Sequence, residues 1–325
     1  MFKRRSVVRV GVIGTGNMGK HHVRVYSGMD NVELVGIADI NRARVRHLAS
    51  LYNTKAYTSY HELIRRERPD AVSIAVPTTM HKDVALDIIA SGIHALIEKP
   101  IADSLKAADE IIEAADKEDV RVMIGHIERF NPVVEALRDI MPELGEILTI
   151  SSKRLGPYPP SIKDVGVILD LAVHDIDVIS VLYGKHVISV NAFAGNSFRN
   201  SNRHDLEDYA TVVLRYEGGN IGVVETNWLT PRKVRTLMIV GTEAVAHADY
   251  ITQNAEVWKP ECTITVSVDR QEPLKNELES FIRCVSTRAK PHPSAEDGKK
   301  VLAVAIAAIN SYKKQEEVRI NDILS

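Results

Sequence analysis

The chain has 325 residues, enough for two domains, and 45 % hydrophobic residues can fill ordinary cores. A formal charge of −2 provides no broad basic surface for nucleic acid, and the short Lys3-Arg4-Arg5 cluster reads as a solvated tail. No run of about 18 apolar residues is available to cross a membrane, the N-terminus lacks the apolar stretch of a signal peptide, and Cys262 and Cys284 read as reduced core thiols of a cytosolic protein. No His/Cys cluster has metal-ligand spacing, so no metal site is expected.

The first predicted element is a strand over 7–13. It runs directly into Gly14-Thr15-Gly16-Asn17-Met18-Gly19 and then a helix over 20–27. Strand, Gly-x-Gly-x-x-Gly and helix in that order form a dinucleotide-binding fingerprint. Gly14 permits the tight turn, Gly16 lets backbone approach a pyrophosphate, and Gly19 lets the helix pack on the strand. Free N–H groups at the helix start then face the phosphates. A second strand over 32–38 ends at Asp39, twenty residues past Gly19. An acid there accepts hydrogen bonds from the adenine-side ribose and favours NAD over NADP. Arg42 and Arg44 lie close behind, either as helix-surface charge or as cations able to hold a 2′-phosphate.

Further short apolar runs follow at 55–58, 70–76, 93–97 and 120–125, separated by helices such as 82–91 and 105–119. This alternation predicts a parallel sheet covered on both faces. In such a sheet, ligands sit beyond the carboxyl ends of the strands. Those ends read Gly14-Thr15-Gly16, Asp39, Pro77-Thr78-Thr79, Glu98-Lys99-Pro100 and His126. Lys99 is the strand-end residue best suited to chemistry; the plain alternative is a surface lysine in a turn.

After residue 125 the pattern changes, and the expected division is 1–125 and 126–325. A connector, Arg129-Phe130-Asn131-Pro132, leads to a short helix over 133–141, a strand over 146–155 and the loop Gly156-Pro157-Tyr158-Pro159-Pro160. Strands over 187–194, 209–216, 221–228, 234–240, 244–249, 255–258 and 263–268 predict a large, mostly antiparallel open sheet. Helices over 274–287 and 294–314 close the chain. The fold class is α/β: a dinucleotide-binding N-terminal domain and a C-terminal α/β domain. Long β-branched strands covered on one face leave an apolar surface, which points to a homodimer or homotetramer.

Between these strands, residues 166–183 predict one helix, apolar almost all round and therefore buried. Asp170, His174 and Asp177 nevertheless fall at i, i+4 and i+7 on one face. An Asp one turn from a His can orient the imidazole and raise its basicity, as a general base requires. The competing reading is a hydrogen-bonded pair inside the core.

Glu98-Lys99-Pro100 together with Asp170-x-x-x-His174 resembles the glucose–fructose oxidoreductase/inositol dehydrogenase (Gfo/Idh/MocA) family. The likeness extends over the glycine-rich start, the 129–132 connector and the last helix. It implies a Rossmann domain followed by an α/β oligomerisation domain, and hydride transfer between a sugar or polyol carbinol and NAD(P). It further implies Lys99, Asp170 and His174 as the catalytic set, with the Lys99–Pro100 bond cis. NAD would lie against Gly14, Gly16, Asn17, Met18, Gly19, Asp39, Asn41, Arg42, Val76, Pro77, Thr78, His81, Glu98 and Lys99. Thr78 stands where members often carry Asn, and His81 begins a helix where a structural role is equally open.

Within the family, the stretches 125–132, 154–160, 170–177 and 227–231 resemble the branch that oxidises C3 of UDP-N-acetylglucosamine and related uronates. That likeness implies substrate contacts from Lys99, Arg129, Asn131, Arg154, Tyr158, Asp170, His174 and Trp228. A diphosphate needs cations, which Lys153, Arg154, Lys163, Arg232 and Lys233 could supply, and uracil needs a flat ring such as Tyr158 or Trp228. His174 would take the hydroxyl proton as hydride leaves the same carbon, Lys99 would stabilise the alkoxide, and Asp170 would orient His174. The 3-keto product would pass to a sugar transaminase. Inositol or other sugar dehydrogenases, an NAD-dependent glycosidase and a non-catalytic NAD sensor are the alternatives. The sensor would not need Lys99, Asp170 and His174 together.

Overall fold

The computed structural model describes residues 7–159, 165–197 and 206–324. Lys3-Arg4-Arg5, Pro160 and Lys163, named above, lie outside the described residues. The chain forms two compact units, Met1–His126 with Leu274–Lys299 and Ile127–Pro273 with Lys300–Ser325.

The first unit runs β1 (Val8–Ile13), α1 (Gly19–Ser27), β2 (Val32–Ala38), α2 (Arg42–Leu51), β3 (Ala56–Tyr57), α3 (Tyr60–Glu67), β4 (Ala71–Ile74), α4 (His81–Ala90), β5 (His94–Glu98), α5 (Leu105–Lys117) and β6 (Val122–Gly125). Among the described residues its sheet has six strands in the order β3-β2-β1-β4-β5-β6, all paired in parallel. Helices on both faces explain the composition of the strands: β4 and β6 are buried at every position. Side-chain caps start two of the helices. Asn41 accepts from the Arg44 amide at α2, and Ser104 accepts from the Ala107 amide at α5.

The second unit runs α6 (Pro132–Ile140), β7 (Ile147–Pro157), a π-turn (Ile168–Ala172), α7 (Val173–Tyr183), β8 (Val187–Gly195), β9 (Tyr209–Tyr216), β10 (Ile221–Asn227), β11 (Leu229–Gly241), β12 (Val245–Asp249), β13 (Asn254–Lys259) and β14 (Cys262–Val266). Then follow α8 (Pro273–Thr287), α9 (Ala295–Lys314), β15 (Val318–Arg319) and α10 (Asn321–Leu324). Nine described strands form one sheet, ordered β14-β13-β12-β11-β7-β10-β9-β8-β15. Among the described residues of this sheet, only β7 and β10 pair in parallel.

Period-2 alternation fixes which side of this sheet is buried. Ile150, Val212, Val224, Leu237, Ile239 and Val257 point to one face, where they join Val133 and Leu137 of α6, Ile176 and Ile179 of α7, and Val304 and Ala308 of α9 in one core. The other face carries Phe193, 69 % exposed, with Tyr209, Ile221 and Trp258.

Two expectations need correction. The segment 274–299 was expected in the second domain; it groups with the first unit, because backbone bonds tie it to β6. The Ile124 amide donates to Pro293 O, Met123 bridges Ser294, and Arg121 donates to Arg288 O. The single helix expected over 166–183 is a π-turn that passes into an α-helix. In addition, of the two cysteines expected in the core only Cys284 is buried, Cys262 being exposed at the start of β14, and β11 starts at Leu229 rather than at 234. Pro231 lies where the β7–β11 register shifts, the kind of irregular stretch that tolerates proline in a strand. Among the described residues, no helix is long and apolar enough to cross a membrane.

Candidate active site

The strand order of the first unit reverses between β1 and β4, and the glycine turn sits at that switch point. Gly14 has φ +86°, and a Cβ there would stand 2.4 Å from Ala75 O. A Cβ on Gly19 would stand 1.8 Å from Gly14 O, so this glycine is required by the turn itself as much as by helix packing. Nothing lies within 4 Å of a Cβ built on Gly16. Asn17 and Met18 complete the turn, and no side chain caps the α1 start at Met18. Space above Gly16, beside a helix start that no side chain caps, fits a dinucleotide pyrophosphate.

Asp39, at the end of β2, collects donors from three directions. The Thr15 amide and hydroxyl donate to Oδ2 at 2.7 and 2.8 Å, and the Asn41 amide donates to Oδ1 at 2.8 Å. Arg44 donates from Nη2 to Oδ1 at 2.8 Å and from Nε to Oδ2 at 3.2 Å. Burial opposes ionisation of this carboxyl, but Arg44, Asn41 and Thr15 outweigh it and hold the pKa below the ordinary value. Of the two arginines weighed for a 2′-phosphate, Arg44 is thus engaged on Asp39, while Arg42 is exposed in the first turn of α2.

The next strand ends continue the same edge. Val76 and Pro77 follow β4, and Thr78 opens a short 3-10 turn. His81 is buried; its Nδ1 lies 2.8 Å from Pro100 O and its Nε2 3.0 Å from Val76 O. It therefore ties the β4 loop to the β5 loop, and burial lowers its pKa. At the end of β5, buried His22 of α1 donates from Nε2 to Glu98 Oε1 at 3.0 Å, and the Lys99 amide donates to Glu98 Oε2 at 3.3 Å. Burial works against the Glu98 charge, but His22 and Lys99 prevail and keep the carboxyl below its ordinary value. The Lys99–Pro100 bond is cis.

In the second unit, Asp170 lies in the π-turn and His174 in the first turn of α7, one turn later. Glu207 anchors the start of this segment: its Oε1 accepts from the Ile168 amide at 3.0 Å. A Cβ on Gly166 would meet that carboxylate at 2.2 Å, so glycine is needed for the approach. Such π-turns recur at functional sites.

The remaining acid of the stripe, Asp177, and its neighbour Asp175 serve the core. Asp177 receives Arg129 in a bidentate pair at 2.7 and 2.6 Å, and Asp175 receives Arg154, whose Nη1 also donates to Glu128 at 2.8 Å. Burial raises the Asp175 carboxyl above its ordinary value against the pull of Arg154. Asn131 caps α6, accepting from the Val133 amide and donating to Glu128 and Tyr250 O.

Two substrate expectations are corrected here. Arg154 is 3 % exposed and neutralised by Asp175 and Glu128, so it is no open cation. Trp228 is 4 % exposed within the core, with Tyr158, 38 % exposed, set edge-on against it at 5.9 Å. Lys153 pairs with Glu225, whereas Arg232 and Lys233 are exposed on β11. Sequence reading missed the bond of Thr15 to Asp39, and missed His22 and Arg235. The period-2 parity of β11, which puts Arg235 on the face of Leu237 and Ile239, was the available signal for the last.

A switch-point glycine turn with an acid at the next strand end, joined to a unit carrying an Asp/His helix, defines a dinucleotide-dependent oxidoreductase. Residues 8–126 match the oxidoreductase family with an NAD-binding Rossmann fold, and residues 137–247 match the Gfo/Idh/MocA C-terminal domain. The chain belongs to the Gfo/Idh/MocA family and is an NAD-dependent oxidoreductase. It is similar to a UDP-N-acetylglucosamine 3-dehydrogenase of Acidithiobacillus ferrooxidans, 27 % identical over 92 % of this chain and 95 % of the relative. The solved structure of that enzyme superposes with a TM-score of 0.87 over 94 % of this chain and 98 % of the other. A myo-inositol 2-dehydrogenase of Thermotoga maritima is 28 % identical over 98 % of this chain and its own full length.

Proposed function

We propose that the chain oxidises C3 of UDP-N-acetylglucosamine and delivers a 3-keto nucleotide-sugar to a separate transaminase. The observation that carries this reading is the end of β7. There a half-exposed Tyr158 ring stands edge-on against buried Trp228, beside Gly156 on the sheet face that α7 covers. A fixed aromatic ring suits the flat face of a nucleobase. The likeness to the A. ferrooxidans enzyme supports the same choice.

Gly14, Gly16, Asn17, Met18, Gly19, Asp39, Asn41, Arg42, Val76, Pro77, Thr78, His81 and Glu98 hold NAD along the strand ends. NAD supplies the hydride acceptor when bound. His174 takes the proton from the sugar hydroxyl, and Asp170 orients its imidazole. The Lys99 ammonium stabilises the negative charge that develops on the carbinol oxygen. Asn131 and Arg129 act through the carboxylates they hold, keeping the connector and α7 in place.

The test is a panel of nucleotide-sugars, sugars and polyols followed by NADH formation, with an amino donor and transaminase present. NADH from UDP-N-acetylglucosamine supports the reading. NADH from myo-inositol alone supports the second reading, an inositol dehydrogenase, which the T. maritima relative favours.

The chain works as a homodimer or homotetramer through the open face of its nine-stranded sheet. Phe193, Tyr209, Ile221 and Trp258 form an apolar surface of a kind that monomers rarely expose. Light scattering at micromolar concentration should return a multiple of the 36.1 kDa chain mass. A monomer mass overturns the assembly.

A further inference from the structure

We propose that Arg235, assisted by Lys233, seats an anionic group of the substrate, a phosphate or carboxylate oxyanion, on the covered face of the second unit's sheet. The inference deepens the proposed function and rests on its placing the substrate beside Asp170 and His174.

Arg235 lies directly across from Arg154 in the β7–β11 register. Both belong to the covered face, as the burial of Ser152, Leu237 and Ile239 on the same parity shows. Like charges facing each other across a strand pair are destabilising unless something offsets them. For Arg154 the offset is complete, since Asp175 and Glu128 both bind it. For Arg235 it is not. Its Nη1 donates to the Leu155 and Val234 carbonyls. Among the described residues no carboxylate lies within ion-pair distance of it, and Nε and Nη2 carry no protein partner.

The contrast with its neighbours is specific. Arg129 and Arg154, the other deeply placed arginines of this unit, each grip a carboxylate with two nitrogens. Burial, and then the Arg154 charge, pull the Arg235 pKa down to about 10, against the opposing pull of Asp175, Glu128 and Asp170. The group stays protonated at neutral pH, yet its surroundings do not fully compensate it. An oxyanion would supply what is lacking, and a planar guanidinium with two available N–H directions matches phosphate or carboxylate geometry.

Gly156 determines where that anion goes. A Cβ built there would lie 3.8 Å from Arg235 Nη2 and 3.7 Å from Lys233 Cγ, so both cationic side chains lie over this glycine. Lys233 and Arg235 are i and i+2 on β11 and share a face. Tyr158, two residues past Gly156, is the half-exposed ring assigned to the base. Cations next to an aromatic ring, on the sheet face against which the π-turn of Asp170 and α7 pack, form the arrangement a nucleoside diphosphate requires. A uronate carboxylate would use the same two cations.

The experiment measures dissociation constants by calorimetry with NADH saturating, so that the glycine turn of the first unit is filled. The probes are UDP, inorganic pyrophosphate and glucuronate. UDP and pyrophosphate should bind the wild-type chain, more weakly as salt rises. Arg235→Met should weaken them about tenfold or more, and exposed Lys233→Ala severalfold, with NADH affinity unchanged as the check on folding. Binding of glucuronate instead, lost in the same variants, assigns the seat to a carboxylate. The proposal is overturned if Arg235→Met and Lys233→Ala bind all three probes as the wild type does, or if none of the probes binds. The two readings fail separately. Unaltered KM for UDP-N-acetylglucosamine in Arg235→Met removes the seat and leaves the reaction. Turnover of neutral polyols alone, with UDP binding still dependent on Arg235, removes the nucleotide-sugar reaction and leaves the seat.

Discussion

Thr15 and Asp39 close the cofactor edge of the first unit: the Thr15 amide and hydroxyl converge on one oxygen of Asp39, at 2.7 and 2.8 Å. Arg44 brackets the same carboxylate from the solvent side. Asp39 is therefore a fixed negative charge at the ribose end of the turn, and the arginine best placed to welcome a 2′-phosphate is occupied by it. NAD should bind more tightly than NADP. Asp39→Ala should weaken NAD binding by about 1–3 kcal/mol and, by releasing Arg44, narrow the preference. Fluorescence titration with NADH and NADPH checks both. An unchanged preference in the variant would contradict this role for Asp39.

The buried His22–Glu98 pair predicts a pH signature. The folded-state pKa of Glu98 lies below its ordinary value of 4.5. The stability this group contributes is thus present above 4.5 and is lost as pH falls through the lower folded value. Thermal melts from neutral pH down to about pH 3 should show the wild type losing more stability than Glu98→Gln over that acid window. Glu98 also accepts from the Lys99 amide, so the variant should reduce kcat more than it raises KM. Parallel pH curves for the two proteins would remove the pair from the account.

Arg154 should matter for stability rather than for binding. Its partner Asp175 is fully buried, so Arg154→Ala strands a carboxyl with no compensating charge. A loss of about 3–5 kcal/mol is expected from denaturant unfolding. Because Asp175 already has a raised pKa in the folded chain, the deficit should shrink as pH falls and the carboxyl protonates. A variant of near-normal stability would show that Arg154 is not the counter-charge described here.

His174→Ala should lower kcat by about 10²–10⁴, the usual worth of a general base, with NADH affinity little changed. Asp170→Asn should act in the same direction, lowering kcat more than it raises KM, since it works through His174. Lys99→Ala should also lower kcat strongly. Near-normal turnover in both His174→Ala and Lys99→Ala would reduce the Asp170/His174 segment to a structural part of the core.

Much of this was legible because it is local. The glycine turn, Asp39 and the parallel strands are written in consecutive residues, and the strand β2 over 32–38 is found at those bounds. What stayed hidden depends on distant partners or on small differences of helical pitch. A helix apolar on all sides gives no periodic cue that separates a π-turn from an α-turn, so Ile168–Ala172 read as ordinary helix. The partners of Arg154 lie 21 and 26 residues away in sequence, so its role could not be read from its neighbours. The amphipathic pattern of α8 shows that it packs, and only the bonds of 288–294 with β6 show on which unit. Arg235 stands in a strand with nothing beside it in sequence to show that it lies across from Arg154 of β7, 81 positions earlier.

The most direct measurement is the initial rate of NADH formation by the wild-type chain with UDP-N-acetylglucosamine as sole oxidisable substrate, a transaminase and its amino donor removing the ketone. The account predicts NADH formation dependent on the nucleotide-sugar, and a 3-amino sugar nucleotide as the trapped product. Absence of NADH with every nucleotide-sugar, alongside steady NADH formation from myo-inositol, would contradict it.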